Sequence, residues 1–272
     1  MRVPPSIAGS LVISLALLLL APRLFPKPRS TCTGLCALDD YEGVLQLLQR
    51  ARGGFGAQLS AFEVMWPAFY RIGTLALGRQ PPLDPGFGCY VLIETLGLEP
   101  EADRQRFEAV IDEAMQSGSV RDAVIAQSER ETTALWSIRD APGEWRSAGH
   151  WPQLGFDVSV PTGEIGELVS EIAAALRARW PSLEVLYFGH VADGNLHVSV
   201  RMAGHDVPEL DIERAVYGVV SRRRGSISAE HGIGLLKKEF LHLSRSAEEI
   251  ALMRAIKKAM DPHGILNPGK IF

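Results

Sequence analysis

Two histidines and a glutamate–histidine pair are the residues of this sequence whose types and spacing could carry chemistry. His190 and His197 bracket an Asp-Gly dipeptide in FGHVADGNLHVSV, and Glu230 directly precedes His231 in GSISAEHGIG. An Asp-Gly pair flanked by alternating apolar residues predicts a β-hairpin with a two-residue turn. In that register His190 faces His197 with Cβ atoms about 5 Å apart. Two imidazoles at this separation could share one metal ion.

A third metal ligand would have to come from elsewhere in the chain, and Glu230 is the best candidate. It lies among small and apolar residues whose glycines permit close approach of the backbone. Two histidines and one carboxylate are a common catalytic metal set that leaves positions open for substrate. His231 would remain free as an acid or base near neutral pH. The alternative is a cross-strand polar pair on a solvated face and a loop without a role, and spacing by itself does not exclude it.

The composition is that of a globular protein. The chain has 272 residues, 46% hydrophobic and 22% charged, which is enough to bury a sizeable core in one or two domains. A net charge of −4 gives no reason to expect a nucleic-acid partner. Three cysteines, Cys32, Cys36 and Cys89, provide neither a disulfide framework nor a zinc motif. Since nothing indicates an oxidising compartment, we expect a cytoplasmic protein.

The first 22 residues are predicted to be an apolar leader, separate from the domain that we assign to residues 23–272. The run from Ile7 to Ala21 is short for a membrane span, which needs about 20 apolar residues. It resembles the apolar part of a signal peptide, but the APRLFPKPR that follows contains no clean cleavage site. We therefore expect membrane association only if this leader is a true anchor.

The hydrophobic periodicity predicts an α+β fold. Strands and amphipathic helices alternate in the first half, and helices packed against more antiparallel strands follow. This order predicts a ferredoxin-like cap domain with a mainly antiparallel sheet and a C-terminal helical segment. The predicted strands are 31–38, 58–66, 89–97, 122–127, 155–161, 183–191 and 196–202, and the predicted helices are 41–52, 67–77, 101–117, 129–140, 162–179, 211–223 and 246–260.

Three stretches of the second half, taken together, resemble the C-terminal half of a known family. FGHVADGNLHVSV, GSISAEHGIGLLKKEFL and MRAIKKAMDPHGILNPGKIF occur in the order and with the separations typical of FAD-linked 2-hydroxy-acid dehydrogenases. That family includes flavin-type D-lactate dehydrogenases, the D subunit of glycolate oxidase and D-2-hydroxyglutarate dehydrogenase. LSAFEVMW and LWSIRD also fit, best with the 2-hydroxyglutarate branch. The resemblance covers the chain from about Arg23 to Phe272.

The resemblance implies a metal site and a flavin partner. His190, His197 and Glu230 match the ligands of members that depend on a divalent metal, zinc or manganese. In those members the ion would bind the substrate's hydroxyl and carboxylate and lower the hydroxyl pKa. His231 matches the general base that takes the hydroxyl proton while hydride leaves for the flavin, which places it beside FAD.

Two further residues acquire roles from the resemblance. Arg139 matches a clamp for the substrate carboxylate, a task that suits a planar guanidinium. Asn267, in the stretch NPGK, matches a residue near the flavin.

The sequence departs from the family pattern at three positions. Ala192 stands where members usually carry glycine, Gly155 where some carry lysine, and Ser199 where many carry asparagine. The departures at Gly155 and Ser199 weaken the case for a dicarboxylate substrate.

Family members carry a further domain that holds FAD ahead of this region, and RLFPKPRST matches the exit from it. We expect the substrate-binding and catalytic half of an FAD-dependent oxidoreductase that acts on the CH–OH group of a D-2-hydroxy acid, unable to turn over alone. The chain could be a fragment of a longer gene, a subunit completed by an FAD-domain partner, or a retained cap with a leader or anchor. The alternative function is a non-enzymatic remnant or metal-binding cap that needs a separate FAD-domain partner.

Overall fold

A computed structural model describes residues 26–76, 78, 80–141, 153–201 and 208–272 of the chain. The leader predicted for residues 1–22 lies outside these ranges. Within the described ranges, no helix combines the length and the apolar character that crossing a membrane requires.

Seven strands in the described part of the chain form one sheet. In chain order they are β1 (Ser30–Leu38), β2 (Leu59–Met65), β3 (Cys89–Gly97), β4 (Asp122–Ile125), β5 (Gln153–Ser159), β6 (Glu184–Gly189) and β7 (Asn195–Arg201). Across the sheet the order is β4-β1-β3-β2-β6-β7-β5, and every neighbouring pair is antiparallel. The predicted α+β class with an antiparallel sheet is therefore confirmed.

Seven α-helices accompany the sheet in the same ranges. They are α1 (Tyr41–Phe55), α2 (Pro67–Ala76), α3 (Pro100–Gln116), α4 (Glu129–Arg139), α5 (Ile165–Arg179), α6 (Glu209–Arg222) and α7 (Ala247–Met260). Side chains fix some of their starts. Asp40 accepts a hydrogen bond from the Gly43 N–H at 2.9 Å ahead of α1, and Ser246 and Glu249 form a capping box ahead of α7. Both arrangements satisfy N–H groups that a helix start leaves without an intrahelical partner.

The described residues form two core clusters, one on each face of the sheet. Helices α1, α3, α5 and α6 cover the larger cluster, to which β2 contributes Phe62 and Val64. Helices α2 and α4 cover the smaller one, to which β2 contributes Met65. Because side chains alternate along a strand, Glu63 points to the face of the smaller cluster.

The face that carries Glu63 continues across the far strands of the sheet. Met65 of β2 is paired with Phe188 of β6, Phe188 with His197 of β7, and His197 with Asp157 of β5. Directly paired residues share a face. Glu63, His197 and Asp157 therefore lie on one face of the sheet although they are far apart in sequence.

The turn between β6 and β7 differs from the prediction. His197 is paired with Phe188, so the two-residue turn that places His190 opposite His197 is wrong. His190 lies beyond the end of β6, at the start of a 3₁₀ turn over Val191–Asp193, and Gly194 closes the connection with φ 75°. Val191 is fully buried in the larger cluster. Because the Val191 side chain is buried, the backbone turns towards the core after Gly189, and β6 ends there.

Candidate functional site

The two histidines and the glutamate converge despite the changed turn. The imidazole rings of His190 and His197 lie 5.3 Å apart between centroids and are nearly perpendicular, at 82°. Glu230 Oε1 lies 3.9 Å from His190 Nε2 and 3.4 Å from His197 Nε2. One potential ligand atom from each residue falls within 4.8 Å of the others. This donor set, two imidazoles and one carboxylate, fits a single divalent ion.

Glu63 contacts His190 on the side opposite to Glu230. This residue was not predicted from the sequence. Its side chain is only 5% exposed. One carboxylate oxygen lies 2.6 Å from His190 Nδ1, and the other accepts a hydrogen bond from Arg139 Nε at 2.7 Å. Since an ionised carboxylate only accepts, Nδ1 is the protonated nitrogen, and Nε2 is left facing Glu230.

The charges around Glu63 support this arrangement. Burial raises the pKa of the Glu63 carboxyl, but the hydrogen bonds and charges of His190 and Arg139 outweigh it and hold the pKa below its ordinary value. The hydrogen bond with Glu63 in turn raises the pKa of His190. A glutamate within the apolar run AFEVM of β2 was the signal that could have revealed this residue.

His197 is the most buried of the three candidate ligands. Its burial lowers its pKa to about 4, with the positive charge of Arg139 as the next cause. The ring is therefore neutral near pH 7, which is the form that binds a metal. Its Nδ1 lies 4.0 Å from Asp157 Oδ1 on the neighbouring strand.

Asp157 connects this strand to the loop that carries Glu230 and His231. Its Oδ2 accepts hydrogen bonds from the backbone N–H groups of both residues, at 3.0 Å and 2.9 Å. Burial raises the pKa of Asp157, but these two hydrogen bonds, together with the charges of His231 and Lys237, outweigh it and lower the pKa overall. Asp157 was not predicted as a site residue, and its signal was an aspartate in the middle of the apolar strand GFDVSV.

His231 lies at the open side of the cluster. Its side chain is 63% exposed, and its Nε2 lies 3.7 Å from Glu230 Oε1. Its ring is nearly parallel to that of His197, with centroids 5.9 Å apart. An accessible imidazole next to the candidate ligands can exchange protons with a bound molecule.

Asp157, Glu230 and His231 form a second group with metal-binding spacing. It suits an ion less well than the first group. Asp157 is buried, and its Oδ2 already accepts two backbone hydrogen bonds, so an ion bound at this oxygen would compete with both N–H groups.

Arg139 contacts Glu63 next to the cluster, whereas Asn267 lies in the C-terminal tail. Arg139 ends α4, is mostly buried, and places its guanidinium 4.9 Å from the ring centroid of Phe188. Asn267 lies in the exposed C-terminal tail with φ 47°. The tail reaches the loop after His231 through a 2.9 Å hydrogen bond from Ile271 N to Gly234 O. Within the described residues, Asn267 is not among those brought to the histidine cluster.

A cavity of about 460 Å³ opens beside the cluster. Its lining is polar for the most part and consists of Ser159, His190, Asp193, Asn195, Ala229 and Glu230. Two of the three candidate ligands therefore border a space that a small molecule could enter.

Gly189, between β6 and His190, leaves no room for a side chain. A Cβ there would lie 2.6 Å from Asn195 O and 3.1 Å from His197 N. We expect Gly189→Ala to lower the free energy of unfolding by about 1–3 kcal/mol through overpacking, measured by urea denaturation. Gly53→Ala is the control, since its Cβ would meet open space on α1, and it should stabilise by about 0.5–1 kcal/mol. Equal stability of both variants would contradict the described turn.

The fold and the donor set define an α+β domain in which a sheet residue, a turn residue and a loop residue bring two imidazoles and one carboxylate to metal-binding spacing. Residues 27–271 match the family described as FAD linked oxidases, C-terminal domain. The chain belongs to this family, which confirms the resemblance identified from its motifs.

Curated relatives agree with this assignment, and a solved structure shares the fold. The chain is 38% identical over 250 residues to D-2-hydroxyglutarate dehydrogenase, mitochondrial, of Arabidopsis thaliana, covering 90% of this chain and 44% of the relative. It is 33% identical over 261 residues to D-2-hydroxyglutarate dehydrogenase of Stutzerimonas stutzeri, covering 92% and 54%. The chain thus spans about half the length of these relatives. The structure of 4-ethylphenol oxidase from Gulosibacter chungangensis shares the fold, with a TM-score of 0.59 at 15% identity, covering 91% of this chain and 55% of that one.

Proposed function

We propose that this chain is the substrate-binding and catalytic half of an FAD-dependent oxidoreductase that oxidises the CH–OH group of a D-2-hydroxy acid. The observation that carries the proposal is the convergence of His190, His197 and Glu230 next to an exposed His231. The family and the names of the relatives support the same reaction class.

The metal of the proposed site is zinc or manganese, held by His190 Nε2, His197 Nε2 and a Glu230 oxygen. Bound there, a divalent ion supplies a Lewis acid that lowers the pKa of a coordinated hydroxyl. Three protein ligands leave coordination positions for the hydroxyl and carboxylate of the substrate. Glu63 supports the set because it keeps His190 Nε2 directed at Glu230.

His231 and Arg139 would act on the substrate itself. His231 would accept the hydroxyl proton, and its exposed ring beside Glu230 favours this role. Arg139 would grip the carboxylate with its two Nη groups, because Glu63 holds its Nε and so fixes the plane of the guanidinium. The products would be a 2-oxo acid and a proton on His231, and FAD would take up the hydride as the oxidant of the reaction.

The described residues also fit a flavin partner. FAD, when bound, supplies the hydride acceptor. Leu235, Leu236, Ile265 and Leu266 are exposed apolar side chains in the two segments that follow His231 and precede Asn267. Such a surface suits contact with an aromatic cofactor and the domain that holds it.

The cytoplasmic location of this chain stays a prediction. The Arabidopsis relative is named as mitochondrial, which gives the cytoplasmic prediction no support.

The proposed function is tested on the purified chain and on its complex with any co-purifying subunit. A yellow protein that reduces a redox dye when given a D-2-hydroxy acid would support it. Since the chain is not expected to turn over alone, a complex that contains FAD and binds one zinc ion but reduces no dye would favour the metal-binding cap as the alternative.

Arg139 offers a test that requires no turnover. We expect Arg139→Lys to weaken the binding of D-lactate or D-2-hydroxyglutarate to the zinc-loaded chain by about tenfold or more, because an ammonium cannot form the paired hydrogen bonds. Titration calorimetry measures the affinity. Arg177→Lys, an exposed change on α5 at the opposite face, should bind like the wild type. Equal affinity of all three proteins would remove Arg139 from the site.

A further inference from the structure

Glu230 and His231 are exposed, so packing of their side chains does not fix them. The two side chains are 47% and 63% exposed. A flexible loop would leave both residues free to turn away from the histidine pair, at a cost in ordering entropy whenever they return. Their fixed direction therefore requires an anchor on the backbone of the loop.

Asp157 is that anchor. Its side chain is 1% exposed, and one oxygen, Oδ2, accepts the N–H groups of the two consecutive residues Glu230 and His231. Two hydrogen bonds from successive peptide groups to one carboxylate oxygen fix the orientation of both peptide planes. Charge-assisted hydrogen bonds of this kind are roughly twice as strong as neutral ones.

Further contacts close the loop around this anchor. Ala229 N donates to the backbone oxygen of Asp157 at 3.2 Å. Ser228 Oγ donates to Gly232 O at 2.8 Å and accepts from Lys237 Nζ at 3.0 Å. These hydrogen bonds fix the ends of the segment from Ser228 to Gly232, whereas Asp157 Oδ2 fixes the two residues in its middle, Glu230 and His231.

The second oxygen of Asp157, Oδ1, lies on the side of His197. Oδ1 has no hydrogen-bond partner among the described residues and lies 4.0 Å from His197 Nδ1. Asp157 and His197 are paired directly across β5 and β7. The anchor of the loop and one candidate ligand therefore share a rigid part of the sheet.

We propose that Asp157 is a positioning residue that fixes the Glu230–His231 segment against the histidine pair through its two backbone hydrogen bonds. The roles of Glu230 as a ligand and His231 as a base rest on the proposed function, but the anchoring of the segment does not. Asp157 is remote from solvent and acts on a substrate only through these two residues.

The experiment compares Asp157→Ala and Asp157→Asn in the full chain. Alanine removes both acceptor oxygens, whereas asparagine keeps one oxygen for the two N–H groups and replaces the other oxygen, and the charge, by a neutral NH2 group. Asp261 provides the matched control, because it is also a buried aspartate that accepts two consecutive backbone N–H groups, those of Ile265 and Leu266, neither of which is a candidate ligand. Amide hydrogen exchange is measured at Glu230 and His231 without metal, and zinc affinity is measured by competition with a chelating dye.

We expect faster exchange at both amides in Asp157→Ala and largely retained protection in Asp157→Asn. The zinc dissociation constant should rise about 100-fold for alanine and about tenfold for asparagine, the range found for groups that orient metal ligands. Asp261→Ala should leave both quantities as in the wild type.

Three results are decisive. Unchanged exchange in Asp157→Ala would overturn the inference, and so would faster exchange with an unaltered zinc dissociation constant. If even the wild type binds no zinc while Asp157→Ala frees both amides, the anchoring role is supported and the metal site of the proposed function fails.

Discussion

His197→Ala is expected to abolish stoichiometric zinc binding. The change removes one of three ligands and leaves His190 and Glu230, whose ligand atoms lie 3.9 Å apart, as an incomplete set. Structural and catalytic zinc sites hold the ion with at least three protein ligands. Metal content after dialysis, measured by mass spectrometry of the element, should fall from one zinc per chain to a background value.

Two further variants keep this result interpretable. Glu230→Gln removes a ligand from an exposed position, so its loss of zinc cannot be attributed to a disturbed core. His242→Ala removes an exposed histidine outside the cluster and should retain the metal. Full zinc content in His197→Ala would eliminate the proposed metal site.

Glu63→Ala is expected to lower the free energy of unfolding by about 3–5 kcal/mol, because it leaves the buried Arg139 guanidinium without its counter-charge. The carboxylate is 5% exposed and binds Arg139 at 2.7 Å and His190 at 2.6 Å. Urea denaturation of the metal-free chain measures the change. The same variant should lose zinc affinity, since His190 is no longer held with Nε2 towards Glu230.

Glu94 on the adjacent strand β3 provides the matched control. Its carboxylate accepts hydrogen bonds from Trp136 Nε1 at 2.7 Å and Thr33 Oγ1 at 3.0 Å, and both donors are neutral. Glu94→Ala should therefore cost only about 1–2 kcal/mol. Similar losses for the two variants would show that the charge of Arg139 is not balanced by Glu63.

Local patterns predicted most of the secondary structure. Alternating apolar residues and turn-forming glycines or prolines bounded the strands, so β1 and β3 begin or end within one residue of their predicted limits. Helix α1 extends beyond its predicted end at Arg52 to Phe55, because a glycine pair does not stop a helix when a buried aromatic residue follows. Such errors arise where burial outweighs local preference.

The turn at Asp193-Gly194 shows the limit of local inference for the site. The dipeptide correctly predicted a hairpin, but the register depended on Val191, which is buried against helices from distant parts of the chain. His190 and His197 are close because the chain turns back towards β7 after the end of β6. They are not a cross-strand pair, since His197 is paired with Phe188. The predicted proximity agrees with the structure, although the reason given for it was wrong.

The sequence by itself determined the class of fold, the family and the identity of the candidate ligands, since strand alternation, helix periodicity and motif spacing are local properties. Only the tertiary structure decided that Glu63 contacts His190 and that Asp157 accepts hydrogen bonds from the backbone of Glu230 and His231. Each acts on a partner more than 70 residues away, and strand pairing and sheet order create these contacts. A buried carboxylate acquires a partner only when distant strands are brought side by side, which no local pattern records.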